Sequence, residues 1–291
     1  MGDTCGGTRK WTRRQHRNRF RRSSPTGERR GLTEPVQRSV VRPSPLFYAI
    51  LAVTVVGGAL TATMELTELR DRPVLGTLGM FLLVLGGWAL SLTLHEFGHA
   101  IVAYKGGDRE VAAKGYLSLD IRRYTDPVMS LVLPLIILAI GGIPLPGGAV
   151  WINRWALRSR SVSSWVSLAG PLSNLTIGVV LTAVVATVSM PFGLLAGLSY
   201  LASLQILAFV INILPVPGLD GFGAIEPYLS PQMREFGAKA RPWAPLVLFA
   251  LIIGVPGVGA ALWQFTDFVF AAVGGDAFAA VAGQYLFMFW R

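Results

Sequence analysis

The chain carries a single cysteine, Cys5, which excludes internal disulfides and any thiolate zinc cluster. Charge is equally scarce. Only 14% of residues are Asp, Glu, Lys or Arg, where a soluble domain carries about 25%. Hydrophobic residues make up 52% of the chain and the mean hydropathy is +0.52. These values exclude an ordinary soluble domain and point to a polytopic membrane protein. Histidine is rare too, at three residues: His16, His95 and His99. No clean internal repeat is visible, and no segment reads as a PDZ or CBS domain.

The charge that is present sits at one end. Residues 1–44 hold twelve basic and three acidic residues, nine of the chain's net +10 charges. This stretch is rich in Arg, Ser, Pro and Gly, a composition that cannot build a core, and it reads as a disordered arm. We read it as a cytoplasmic topology signal that also touches anionic lipid heads, and not as a nucleic-acid binder. Arg13-Arg14 lies too far from the apolar stretch that begins near Leu46 to start a normal signal peptide. Gly6 breaks the myristoylation pattern that Gly2 would open.

Against this poverty of ionisable groups stands His95-Glu96-Phe97-Gly98-His99, an H-E-x-x-H motif inside a membrane-length apolar run. On a helix, residues four apart share a face, so both imidazoles can bind one metal ion. Glu96 lies beside them and suits a general base acting on a metal-polarised water. The preceding run, Val74 to Leu94, is almost wholly apolar. Ionisable groups at such depth cost roughly 2.5–3.5 kcal/mol each for Asp, Lys or Arg on insertion scales, so they rarely persist there without a function.

A first span is expected over about Leu46 to Met64 and a second from Val74, continuing toward Tyr104. Lys105, Arg109 and Lys114 follow the motif, in keeping with an excess of positive charge on the cytoplasmic side. Residues 105–127 are polar, with a short strand-like piece at 116–121. The apolar segment 128–142 would reach only about 22 Å as a helix, short of a hydrocarbon core roughly 30 Å thick. A Gly/Pro cluster at 141–148 and then Arg154, Arg158 and Arg160 come next. Good spans follow at Val162–Met190 and Phe192–Leu214. Another is expected over about Pro245 to Gln264. The apolar tail from Phe268 to Arg291 reads as a last span or a surface-lying helix.

Two further stretches complete a pattern: Ala169-Gly170-Pro171-Leu172-Ser173-Asn174 and Pro215-Val216-Pro217-Gly218-Leu219-Asp220-Gly221. With the H-E-F-G-H motif they resemble the site-2 protease family of intramembrane zinc metalloproteases, over roughly residues 46–260. The likeness is to a compact bacterial branch, which has a G-D-x-x-A stretch matched here by Gly107 to Ala113. That branch also has an L-T-L-N-P-x-x-H-I-D-P stretch, matched loosely from Leu117 to Pro127. Tyr124 stands where the branch often carries His.

The resemblance implies one zinc per chain, with Asp220 as third ligand beside His95 and His99. Catalytic zinc commonly takes three His and Asp/Glu ligands and leaves the fourth position open. Taken alone, Asp220 could as well be a turn residue. The resemblance also implies a catalytic role for Asn174, stabilising an oxyanion or holding substrate; on its own, an amide in an apolar helix also serves as interhelical glue. Asn212, Pro215 and Pro217 are expected to break the helix so that Asp220 turns toward the metal. Glu226 and Tyr228 read as loop or packing residues.

If segment 128–142 spans, the arginines at 154–160 lie outside; if it is re-entrant, they lie inside. We favour re-entrance, because it lets Asp220 share a depth with His99 and places residues 150–160 on the cytoplasmic side. The expectation is therefore an all-α polytopic protein of about six transmembrane helices, with a re-entrant segment and a short strand-like piece near the site. The arm covers 1–44, the integral-membrane domain 45–291, its catalytic core about 74–221 and its C-terminal helices 243–291. The implied activity is peptide-bond hydrolysis in or near transmembrane segments of membrane-anchored substrates, single-span regulators such as anti-sigma factors among them. The expected location is the bacterial inner membrane, with the amino terminus cytoplasmic. The rivals are an inactive metal-binding scaffold, against which Glu96 argues, and a metal transporter, against which the lack of repeats argues.

Overall fold

Pro45, Pro73 and Pro191 mark helix starts, because a missing N–H costs nothing in a first turn. The computed structural model describes residues 2, 41–68, 73–124 and 150–290. Ten α-helices lie among them: α1 (Pro45–Thr61), α2 (Val74–Gly106), α3 (Glu110–Ala113), α4 (Arg160–Thr187), α5 (Phe192–Asn212), α6 (Asp220–Ile225), α7 (Pro231–Ala240), α8 (Ala244–Gly254), α9 (Pro256–Ala272) and α10 (Ala277–Phe287). No strand occurs among the described residues.

Three helices are long and apolar enough to cross a membrane: α2, α4 and α5. A fourth span results if α7 and α8, bent by 66° at their junction, count as one. The expectation of about six spans is thus met only in part. α1 and α9, at 17 residues each, reach about 26 Å, and α10, at 11 residues, reaches less. The tail contributes α10, whose Leu286 and Phe287 are buried in the core it shares with α2 and α5. The re-entrant segment expected at 128–142 lies outside the described residues, as do almost all residues of the basic arm.

α5 is the axis of the packing. One of its faces, with Ala196, Tyr200 and Leu204, meets Met80, Val84 and Trp88 of α2 and Phe287 of α10. The other, with Ile206, Val210 and Ile211, meets Phe249, Ile252, Leu262 and Phe270 of α8 and α9. An all-round apolar helix of this kind belongs in an interior. α4 differs. Its Val179, Val180 and Val184 are exposed on one side, as suits a helix with one lipid-facing flank.

The strand-like piece at 116–121 is corrected by the structure. Tyr116–Ser118 and Ile121–Arg123 are 3-10 turns, separated by Leu119 in the left-handed region at φ 49°. Asp120 accepts from the Arg122 backbone N–H at 3.1 Å and from its guanidinium at 2.8–2.9 Å. That ion pair holds the Asp120 carboxyl below the ordinary carboxylate range. Alternating apolar residues gave a period of two, but this local hydrogen bonding closes the chain into turns. The apolar side chains are still used: Tyr116, Leu117, Ile121 and Tyr124 form a third core against Leu92, Ala100 and Ala103 of α2. Tyr124 is buried there and its hydroxyl donates to the Tyr116 carbonyl at 3.3 Å.

Candidate metal centre

His95 lies 21 residues into α2, about 31 Å along its axis from Val74. His95 and His99 stand one turn apart and both are buried. α5 ends at Asn212, and the Pro215–Pro217 stretch then prevents helix until Asp220 opens α6. This turn brings Asp220 to the histidines. Its Oδ2 lies 3.2 Å from His95 Nε2, and its Oδ1 lies 3.4 Å from His99 Nε2. The two Nε2 atoms are 3.1 Å apart.

The far nitrogens fix the protonation state. His95 Nδ1 donates to Asn174 Oδ1 at 2.5 Å, and His99 Nδ1 donates to the Val166 carbonyl at 2.6 Å. Carbonyl oxygens only accept, so each neutral ring carries its proton on Nδ1 and presents a bare lone pair at Nε2. Two lone pairs and a carboxylate thus converge on one point, an arrangement that a cation resolves. Ligands at about 2.0–2.1 Å from a tetrahedral zinc stand about 3.3 Å from one another. The observed separations match that edge, and His95, His99 and Asp220 are the one cluster among the described residues suited to a metal.

α4 backs the cluster. A Cβ on Gly170 would collide with the Nε2 atoms of both histidines, and one on Gly98 would meet the Ala169 carbonyl. Only hydrogen at residue 170 lets α4 pass under the imidazoles. Four residues on, Asn174 is buried, with both ends of its amide engaged. Its Oδ1 takes the His95 proton and its Nδ2 donates to Gln205 Oε1 of α5 at 2.8 Å. Expected as an oxyanion or substrate contact, Asn174 spends its Oδ1 and one amide hydrogen on these partners and keeps a second amide hydrogen.

Glu96 is buried beside the histidines, and its Oε2 accepts the Val150 backbone N–H at 3.2 Å. A cavity of about 580 Å³ opens over His95, Glu96, His99 and Asp220, and residues 150–155 form part of its wall. Glu226 pairs with Arg154 and with Arg241, both of which line the cavity. Glu226, read from sequence as a loop residue, therefore ties two lining arginines together. Tyr228 is exposed.

Sequence reasoning missed Gln205 and the Val150 N–H, and it met Asp108 only within the G-D-x-x-A stretch, without a role. Gln205 is legible as a lone amide in an apolar helix. The Val150 contact has no sequence signal, because it is a backbone group.

The comparisons agree with this centre. The chain is 41% identical over 261 residues to the "Putative zinc metalloprotease Rip2" of Mycobacterium tuberculosis, covering 89% of this chain and 98% of that one. It is 41% identical over 255 residues to Rip2 of Mycolicibacterium smegmatis, covering 87% and 96%. YwhC of Bacillus subtilis, which bears the same description, is 32% identical over 174 residues, covering 56% of this chain and 77% of that one. No protein-family model matches the chain, and no solved structure does. The chain belongs to the site-2 protease family of intramembrane zinc metalloproteases.

Proposed function

We propose that the protein is a zinc-dependent endopeptidase that hydrolyses peptide bonds in or near the transmembrane segments of membrane-anchored proteins. The observation that carries this reading is the convergence of His95 Nε2, His99 Nε2 and the Asp220 carboxylate at zinc-edge distances, with Glu96 buried in the same cavity. In this reading His95, His99 and Asp220 hold one zinc and Glu96 is the general base. Zinc, when bound, acidifies a water at its open position and polarises the scissile carbonyl.

The remaining steps fall to the chain's own residues. Glu96 takes a proton from the attacking water as the new carbon–oxygen bond forms. It returns that proton to the amide nitrogen as the carbon–nitrogen bond breaks, so no proton is lost or gained. Asn174 acts as a positioning residue: it holds His95 in the tautomer that leaves Nε2 free. The buried end of the cavity limits bulk water, which strengthens each of these polar contacts.

A substrate helix hides its carbonyls in i to i−4 hydrogen bonds, so part of it must unwind before attack. The substrates we favour are single-span regulators, of which anti-sigma factors are an example. We place the protein in the bacterial inner membrane, with its amino terminus and residues 150–160 on the cytoplasmic side. The basic arm and the run of Arg154, Arg158 and Arg160 support that orientation.

The test is Glu96→Gln. The amide is nearly isosteric but accepts no proton. We expect zinc content to stay at one per chain while cleavage of a single-span reporter falls by about 10²–10⁴-fold. Cleavage within about tenfold of wild type would remove Glu96 from the role of base.

A further inference from the structure

Asp108 is 0% exposed, yet it stands apart from the His95, His99 and Asp220 cluster and lies outside the cavity wall. A buried carboxylate persists only where its oxygens are hydrogen-bonded. Its Oδ1 accepts the Glu110 backbone N–H at 2.9 Å, a local Asx turn at the start of α3. Its Oδ2 does something a local turn does not need: it accepts the backbone N–H of Asn153 at 2.7 Å, 45 residues away.

Asn153 belongs to the extended segment 150–153. Val150 and Ile152 turn inward onto the third core, while Trp151 faces out under the Lys114 ammonium at 4.0 Å. The inner end of this segment is the Val150 N–H on Glu96 Oε2. Asp108 and Glu96 therefore accept backbone N–H groups at the two ends of one strap, while Glu110 accepts only the Asn153 side-chain amide, at 3.2 Å.

The turn after α2 is shaped to receive the strap. Gly107 stands at φ 129°, and a Cβ there would strike the Ala156 carbonyl. The Gly106 carbonyl accepts the Arg158 N–H at 3.1 Å, and the Lys105 carbonyl accepts its guanidinium at 2.7 Å. Residues 105–108 thus dock residues 153–158 by backbone and carboxylate contacts, six to nine residues beyond the end of the H-E-x-x-H motif.

We propose that Asp108 is a positioning residue for the general base. It anchors the strap 150–153 to the end of α2, and the strap's Val150 N–H then fixes the orientation of the Glu96 carboxylate toward the attacking water. The inference rests on Glu96 being the base. A hydrogen bond from a fixed backbone donor leaves one carboxylate oxygen free and stops the group from rotating. Misplacing a reacting group by about 1 Å can cost about 100-fold in rate.

The test separates the N–H of Asn153 from its side chain. Asn153 has φ −79°, which proline adopts without strain, so Asn153→Pro removes the N–H and keeps the backbone angle. Asn153→Ala removes the side chain and keeps the N–H. Full-length protein in a Cys5→Ser background receives spin labels at Trp155→Cys and Glu235→Cys, both exposed positions. We expect a narrow distance distribution in the parent and in Asn153→Ala, broadened by Asp108→Asn and by Asn153→Pro.

On a single-span reporter, kcat of Asp108→Asn and Asn153→Pro falls about 10- to 100-fold, with KM within about threefold and zinc content unchanged. Asn153→Ala stays at least about tenfold above Asn153→Pro, and the double variant Asp108→Asn/Asn153→Pro is no worse than about threefold below the weaker single. Unchanged distance distributions, equal losses in Asn153→Ala and Asn153→Pro, or additive losses in the double variant would each overturn the proposal. An active Glu96→Gln protein would instead overturn the reading beneath it, and the label distances would still report whether Asp108 holds the strap.

Discussion

The metal end of the cavity and the base end are held by different means. His95 is fixed by a side-chain relay that runs through α2, α4 and α5, from imidazole to Asn174 to Gln205. Glu96, its neighbour in sequence, is fixed by the backbone of a peripheral strap that reaches it from outside the helix bundle. The first arrangement is rigid, because spanning helices packed around α5 carry every member. The second is a single extended segment, tethered at its ends. Ligand geometry around a metal tolerates only a few tenths of an ångström. The base proposed at Glu96 depends instead on how firmly Asp108 holds the segment that carries the Val150 N–H.

Removing the ligands gives the largest contrast between the two ends. In His95→Ala/His99→Ala, the α2 face loses both Nε2 donors, and we expect zinc by elemental analysis of the purified protein to fall from one per chain to background. The strap is expected to remain docked, since none of its contacts involves a histidine. Zinc retained at full occupancy would place the metal elsewhere and undo the comparison.

A smaller effect is expected one step out. Asn174→Ala removes the acceptor for the His95 Nδ1 proton and leaves a buried N–H unpaired. Loss of such outer-shell partners typically costs about 10–100-fold in metal affinity or activity. We therefore expect weaker zinc retention against a chelator series, with the loss in turnover following the loss of metal and reversed by added zinc. For strap variants, added zinc restores nothing. That opposition sharpens the comparison: one end fails through metal loss, the other through misplaced chemistry.

The two ends also differ in how far they could be read from the chain. The imidazole pair was legible because a helix enforces an i, i+4 face and apolar surroundings make ionisable groups conspicuous. Asp220 needed a second motif, since its approach depends on where α5 stops, and Asn212 to Pro217 supplied that stop. Asn174 was legible as a residue of interest, but its partners were not: its Oδ1 faces His95 and one amide hydrogen goes to Gln205, contacts set by the relative rotation of α4 and α5. The strap escaped reading altogether. Its main contacts are made by backbone N–H groups, which every residue type carries, so Val150 and Asn153 give no compositional signal. The turns at 116–123 escaped for a related reason: hydrogen bonds to Asp120 outweighed an alternating apolar pattern.

The smallest effect is expected at the outer end of the relay. Gln205 is 0% exposed, and its Nε2 has no hydrogen-bond partner. An unpaired buried donor costs about 1–3 kcal/mol, while a net hydrogen bond contributes only about 0.5–1.5 kcal/mol. Gln205→Leu removes the unpaired donor together with the Asn174 contact, at similar volume. The two changes offset each other, so thermal stability of the zinc-loaded protein should move little. Asn174 Nδ2 loses its acceptor, and its amide is freer to turn away from His95. Zinc retention should fall by less than in Asn174→Ala, and Gln205→Glu should restore it, because a carboxylate oxygen accepts from Asn174 as the amide did. If Gln205→Leu weakens zinc as much as Asn174→Ala, the relay is governed from α5 and Asn174 only transmits. If it leaves zinc retention untouched, the relay ends at Asn174, and the rigid end of the cavity is held by α2 and α4 alone.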